Sequence, residues 1–349
     1  KDQFPYETGA RPPNGVAIQY DSGDYARCLE MVMKTSGYAA FETKRAQAAK
    51  QGRWIGLGIA SYNEDTGLPP YEGATVKVLP SGRICVELGS CSQGQGLETI
   101  AAQIAADQFD VDPQDVVVRS GDTAIAAIAL STVGSRVAST AGPSIHLAAM
   151  QVREKAIRLA AQQLEAAEQD LEITRGAVHI QGVPDRKVAL GDLAKRLLAG
   201  VMAPLPPGFT PGLEATAYHV SERPVYANGT TIAEVEVDVE TGAVTLLGDW
   251  VAHDCGTRIN PMLVEGQIVG GVVHGIGNAL FEHMKYDRES GQPLTTNLGE
   301  YLLPLATEMP PIRVEHMETP SPSNPLGVKG AGEGGTIPFM GMLGDMFPQ

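Results

Sequence analysis

The sequence predicts an α+β fold in which mixed sheets with flanking helices form two related layers, and three observations carry that reading. Residues 74–90, ATVKVLPSGRICVELGS, alternate apolar and polar side chains on both sides of Pro80-Ser81-Gly82, a hairpin signal, and run into the glycine turn CSQGQG. Residues 231–256, TIAEVEVDVETGAVTLLGDWVAHDCG, repeat the scheme, with Glu240-Thr241-Gly242 at the turn and Asp254-Cys255-Gly256 at the exit. A helical pattern follows each hairpin, LETIAAQIAADQF over 97–109 and PMLVEGQIVGGVVHGIGNALFEHM over 261–284. Each layer therefore aims a glycine-rich strand exit at a common place.

The remaining elements follow in chain order. Asp21-Ser22-Gly23-Asp24 is a good amino-terminal cap for a helix that, with residues 41–54, reads as the close of a preceding domain. We place that trailing segment at 1–50 and the main domain at 51–349. Alanine and leucine at helical spacing predict a long scaffold helix over about residues 142–168. Residues 170–198 read as a small strand pair and an amphipathic helix. The proline-rich stretch 200–218, GVMAPLPPGFTPGLEATAY, is the internal link.

Composition excludes whole classes of partner. A formal charge of −15 repels phosphate at long range, which argues against nucleic acid or an anionic membrane surface. No apolar run approaches the roughly 20 residues of a membrane-spanning helix. Cys28, Cys85, Cys91 and Cys255 form no CxxC pair, so they read as reduced thiols of a cytoplasmic protein, and neither a thiolate cluster nor a structural zinc site is expected. We assign no protein metal ligands.

Near the carboxyl end, NPLGVKGAGEGGTIP over 324–338 sets one acid, Glu333, among glycines. Such a bare backbone lets a bulky group come close to the main chain. The run 330–335 also spells a dinucleotide fingerprint. A proline-broken loop precedes it and Pro338 follows, so the strand and helix that a nicotinamide site needs are missing.

Six motifs in order now carry a resemblance: YDSGDY (20–25), QGQGLET (93–99), GDT with TVGSR (121–136), DCGTRINP (254–261), GQIVGGVVHGIGNALFE (266–282) and NPLGVKGAGEGG (324–335). The chain resembles the molybdenum-binding large subunit of the xanthine dehydrogenase, aldehyde oxidase and carbon monoxide dehydrogenase family, and matches its carboxyl-terminal half, the second molybdopterin-binding domain. The resemblance implies a molybdopterin with molybdenum, in bacterial members often the cytosine dinucleotide form, whose metal ligands come from the cofactor itself. It implies that Gln93, Gly94, Gln95 and Gly96 contact the pterin, that Gly134, Ser135 and Arg136 hold a phosphate at a helix start, and that His274, Lys329 and Gly330 lie against the cofactor. It makes Glu333 the general base for oxidation of an aldehyde or N-heterocyclic C–H bond by water-derived oxygen.

The same resemblance implies partners: the rest of the large subunit, iron–sulfur and FAD chains that carry electrons away, and a small-molecule substrate, in a hetero-oligomer. Two departures from the family stand out. Ala129-Leu130-Ser131-Thr132 replaces a Gly-x-Gly-Thr approach, and TIPFMGMLGDMFPQ replaces an alanine-rich helix at the end. These motivate an alternative, a non-catalytic or incomplete scaffold that binds subunits without cofactor. His253, Asp254 and Gln267 are given no cofactor role, and neither is the stretch 61–73, SYNEDTGLPPYEG.

Overall fold

The computed structural model describes residues 20–67, 71–126, 130–198, 204–221 and 223–339. Its frame is a pair of four-stranded sheets built to the same plan. In the first, β2 (Glu72–Val78) and β3 (Ile84–Leu88) form the antiparallel hairpin predicted around Pro80-Ser81-Gly82. Helix α3 (Leu97–Phe109) then returns the chain to β4 (Val116–Ser120), parallel to β3. In the second, β9 (Val225–Val237) and β10 (Val244–Asp254) form the antiparallel hairpin, and α6 (Pro261–Ile276) leads to β11 (Ile312–Met317), parallel to β10.

Each sheet takes its fourth strand from the segment before the other hairpin. β1 (Trp54–Thr66) precedes β2 yet pairs with β9, and β8 (Leu213–His219) precedes β9 yet pairs with β2. The orders are therefore β4-β3-β2-β8 and β11-β10-β9-β1. This exchange stitches the two layers together, and it corrects the link expected over 200–218: its last six residues are strand. Residues 199–203 lie outside the described part of the chain.

Packing explains the strands. β2 alternates, with Ala74, Val76 and Val78 buried, because one face lies on helices; β3 is buried throughout, since helices cover one face and strands flank both edges. The core of the first sheet includes Ile104 and Phe109 of α3 and Ile145, Val152 and Leu159 of α4 (Val137–Leu164). Helix α4 begins five residues before the position expected from the sequence, passing through Pro143. A buried stripe of Val137, Ala141, Ile145 and Ala148 offsets the backbone bond that the proline removes. On the second sheet α6 packs Ile268, Val272 and Ile276 against Val235 and Val251, together with Phe339.

The three-stranded β5 (Leu171–Thr174), β6 (Ala177–Ile180) and β7 (Val183–Ala189) precede α5 (Leu190–Arg196), one strand more than expected. Helix α1 (Tyr25–Ser36) is capped by Asp24, whose side chain accepts from the Arg27 amide, as the sequence predicts. It buries Cys28 and Val32 against Ile232, Ala252 and Met317, so in packing terms α1 belongs to this sheet and not to a detached segment. Helix α2 (Phe41–Lys50) covers Ile55 beside it. No helix among the described residues is long and apolar enough to cross a membrane.

Candidate active site

The equivalent exits of the two sheets face each other, and between them lies a cavity of about 380 Å³. Its walls are the turn after β3 (Gln93, Gly94, Gln95), the entry to α4 (Thr132 to Ala138), the turn after β10 with the start of α6 (Cys255 to Gln267), and the loop that carries Glu333. Three helices of 13, 28 and 16 residues start at this cavity. Each brings the positive end of its dipole, and α3 and α4, which have no side-chain cap, also bring free amides, whereas α6 starts with Pro261 and is capped by Asn260. At α4 the first amide with a backbone acceptor inside the helix is that of Ser139, and those of Val137 and Ala138, which line the cavity, find none.

Hydrogen bonds tie the walls together. Gln95 Oε1 accepts from the Gln93 amide at 2.6 Å, and Gln95 Nε2 donates to Thr132 Oγ1 at 3.2 Å. Gln93 Nε2 donates to the Thr132 carbonyl at 3.2 Å, while Thr132 Oγ1 donates to the Cys91 carbonyl at 2.7 Å. Gly94, at φ +94°, has open space where a Cβ would stand. Gly96 differs: a Cβ there would lie 2.6 Å from Leu263 of α6, so its bareness serves helix packing.

The glycine run around Glu333 is approached mostly by the protein itself. A Cβ on Gly330 would sit 2.0 Å from the Ser135 carbonyl, one on Gly334 2.4 Å from the Tyr62 hydroxyl, and one on Gly335 2.3 Å from the Ile268 carbonyl of α6. Gly332 alone of these has ordinary clearance, facing Ser135 and Gln267. The reading of Gly330 as a cofactor contact thus gives way to a packing role, with its amide donating to Thr66 Oγ1 at 3.0 Å. Glu333 itself is exposed at the cavity wall, its carboxylate held by Ser135 Oγ at 2.9 Å.

Arg136 and His274 depart from expectation. The Arg136 guanidinium is wholly buried, 2.5 Å from the equally buried Glu72, and also donates to the Leu130 carbonyl at 3.1 Å. It braces the turn from inside, so although Arg136 lines the cavity its guanidinium is committed to Glu72 and Leu130, where the sequence reading has it hold a phosphate. His274 is exposed near the end of α6 and outside the cavity wall. Lys329 is buried beneath the loop, its Nζ 3.1 Å from Thr319 Oγ1 and 3.7 Å from Asp254 Oδ2. Burial lowers its ammonium pKa, with Asp254 opposing the shift. Ala129 lies outside the described residues, as do residues 340–349.

A family model described as the molybdopterin cofactor-binding domain matches residues 31–310. The chain belongs to that family. It is 36% identical over 347 residues to the nicotine 6-hydroxylase large subunit of Paenarthrobacter nicotinovorans, spanning 96% of this chain and 42% of that one. Against the carbon monoxide dehydrogenase large chain of Afipia carboxidovorans it is 34% identical, spanning 99% and 44%. The crystal structure of quinoline 2-oxidoreductase from Pseudomonas putida 86 superposes with a TM-score of 0.85 at 36% identity, covering 98% of this chain and 44% of that chain. The chain thus spans less than half the length of these relatives.

The cavity of this molybdopterin-binding domain suits such a group. Uncapped amides at α4, the open face of Gly94 and the side-chain amides of Gln93 offer donors for a ligand rich in acceptors and phosphate. Side chains that sequence reasoning passed over complete the wall: Asn260, which caps α6 by accepting from the Leu263 amide, and Gln267. Behind the wall lies Glu64, on the buried face of β1 with Tyr62 and Thr66. The signal for Glu64 is an acid at an inward position of an alternating strand, where a charge needs a reason to be. Tyr62 reaches His253 Nδ1 at 2.5 Å, and burial, with His316 and Lys329 adding to it, pushes His253 down to about 3. His253 is therefore a neutral structural residue.

Proposed function

We propose that this chain is the cofactor-holding and proton-accepting part of a molybdenum hydroxylase that oxidises a C–H bond of an N-heterocycle or an aldehyde with water-derived oxygen. The observation that carries the reading is one cavity shared by the carboxylate of Glu333, the Gln93 to Gln95 turn and three helix amino termini. Relatives named for nicotine and quinoline favour the heterocycle arm.

When bound, molybdopterin with molybdenum supplies the oxidising centre. The chain's own residues do the rest. The amides of Val137 and Ala138 bind phosphate at the start of α4, and Gly94 lets the ligand lie on the main chain. The cytosine dinucleotide form is the reading for the cofactor, as the resemblance to bacterial members of the family implies, and the uncapped starts of α3 and α4 are compatible with more than one phosphate. Glu333 stands at the wall with its Oε2 fixed by Ser135, so it can accept a proton at its free oxygen without first paying to orient itself. Electrons leave through iron–sulfur and FAD chains of a hetero-oligomer, for which the relative named as a complex subunit offers support.

The test is Glu333→Gln in the assembled enzyme. We expect molybdenum content unchanged and turnover lowered about 100- to 10,000-fold, the usual contribution of a positioned base. Turnover at the wild-type rate would remove the base from Glu333. An intact wild-type assembly without molybdenum would favour the scaffold reading.

A further inference from the structure

Three hydrogen bonds converge on a single hydroxyl. Ser135 Oγ lies 3.0 Å from the Glu333 amide nitrogen, 2.9 Å from Glu333 Oε2 and 2.5 Å from Glu64 Oε1. A hydroxyl brings one proton and two lone pairs. The amide fills one lone pair and the hydroxyl proton serves one carboxylate. The third contact then requires a proton carried by the other carboxyl group, or two oxygens without a hydrogen would be pressed together.

The surroundings decide which carboxyl carries it. Glu64 is 8% exposed, and its Oε2 is buried with no hydrogen-bond partner, which is costly for a carboxylate. Glu333 is open to the cavity. Among the described residues the groups facing Glu64 supply no cation: Glu333 comes from the loop, Asp65 and Tyr62 from its own strand, and Ser135 from the α4 turn. His253, behind Tyr62, is neutral, and the buried cations Arg136 and Lys329 are engaged by Glu72 and Asp254. Ser135 is held at φ +50°, a conformation that a serine seldom adopts, and Gly330 is bare so that this backbone can approach.

We propose that Glu64 is a positioning residue for Glu333: the two carboxyl groups share one proton through Ser135, which rests on Glu64 and leaves Glu333 ionised and aimed into the cavity. The inference rests on Glu333 as the base in the reading above, but the shared proton can be measured without turnover. Burial pushes Glu64 up to about 7, with Ser135 lowering it and Glu333 raising it, in agreement with the proton count.

The assembled enzyme is titrated by infrared difference spectroscopy, wild type against Glu64→Gln, with other buried acids cancelling in the subtraction. We expect a carboxylic-acid carbonyl band that is present below neutrality, disappears as pH rises through about 7, and is missing in Glu64→Gln. Ser135→Ala, a second variant, should move the midpoint upward, because once Glu64 has lost its proton the hydroxyl can turn and donate to the new carboxylate, a stabilisation of the ionised form that alanine lacks. The inflection near pH 7 in kcat/KM should also vanish in Glu64→Gln, whose amide can still donate to Ser135. A band untouched by Glu64→Gln, or a midpoint unmoved by Ser135→Ala, overturns the proposal. If the band behaves as expected while Glu333→Gln retains turnover, the shared proton stands and the base reading falls.

Discussion

Arg136→Met tests whether that guanidinium braces the fold or grips a ligand. Both members of the Arg136 and Glu72 pair are fully buried at 2.5 Å, and the Glu72 carboxylate also accepts from the Leu130 amide at 2.9 Å. Removing the guanidinium leaves a carboxylate buried without its cation, which costs about 3–5 kcal/mol. At about 2 cal/mol/K of unfolding entropy per residue, a cooperative unit of 349 residues converts that cost into a fall of roughly 4–7 °C in melting temperature, and into a proportionately smaller fall where other chains unfold with it. Differential scanning calorimetry of the assembled enzyme reads the shift. The double variant Arg136→Met with Glu72→Gln should recover more than half of it, because the stranded charge is gone. A loss below about 1 kcal/mol, the range of exposed pairs, combined with a fall in bound molybdenum, would refute the bracing role and restore Arg136 as a phosphate clamp.

Three further outcomes follow from the same geometry. Asp249 is buried with neither carboxylate oxygen hydrogen-bonded, and burial pushes it up to about 8. Because its folded pKa is raised, its contribution to stability is fully present below the ordinary aspartate pKa of about 4 and is lost progressively as pH rises from there, the loss being complete once pH passes about 8. Wild type should therefore lose about 1.4 kcal/mol more per pH unit than Asp249→Asn between pH about 5 and 7, a difference that denaturant unfolding at both values reads and equal slopes would disprove. Gly330→Ala should cost about 1–3 kcal/mol and lower kcat, since its Cβ meets the Ser135 backbone and pushes the loop that carries Glu333; an unchanged kcat would show that the loop yields elsewhere. Cys91, whose pKa is lowered by hydrogen bonds to Ser131 and Thr132, should be the first of the four thiols to react with iodoacetamide, as peptide mass spectrometry would show. Cys28 and Cys255 are pushed by burial up to about 11 and 12, and Cys85 is raised too, so early labelling at any of these would contradict the packing described.

Much of the frame was legible because its signals are local. Period-two alternation around Pro80-Ser81-Gly82 and Glu240-Thr241-Gly242 marks both hairpins, and the helix after each is periodic in its apolar residues. The Asp24 cap is a matter of one side chain and one nearby amide. Glu333 and the Gln93 to Gln95 turn were legible as well, since glycines beside a few polar residues stand out from a hydrophobic background.

The exchange of β1 and β8 between sheets could not be read, because it depends on pairings across more than 130 residues, such as Ile59 with Ile232. Nor could the fates of the site glycines: Gly94 faces open space and Gly330 a backbone, though each is simply a glycine in the sequence. Arg136 illustrates the reason. Its charge was written in the chain, but whether it meets solvent, a ligand or Glu72 depends on which side chains folding brings within reach. The sequence alone determined both hairpins, the helices that follow them, the family and an acid set among glycines. Only tertiary structure decided that a second acid, Glu64, stands behind the first and that one serine hydroxyl joins them, since hydrogen bonds and burial follow from distances in space that sequence separation does not encode.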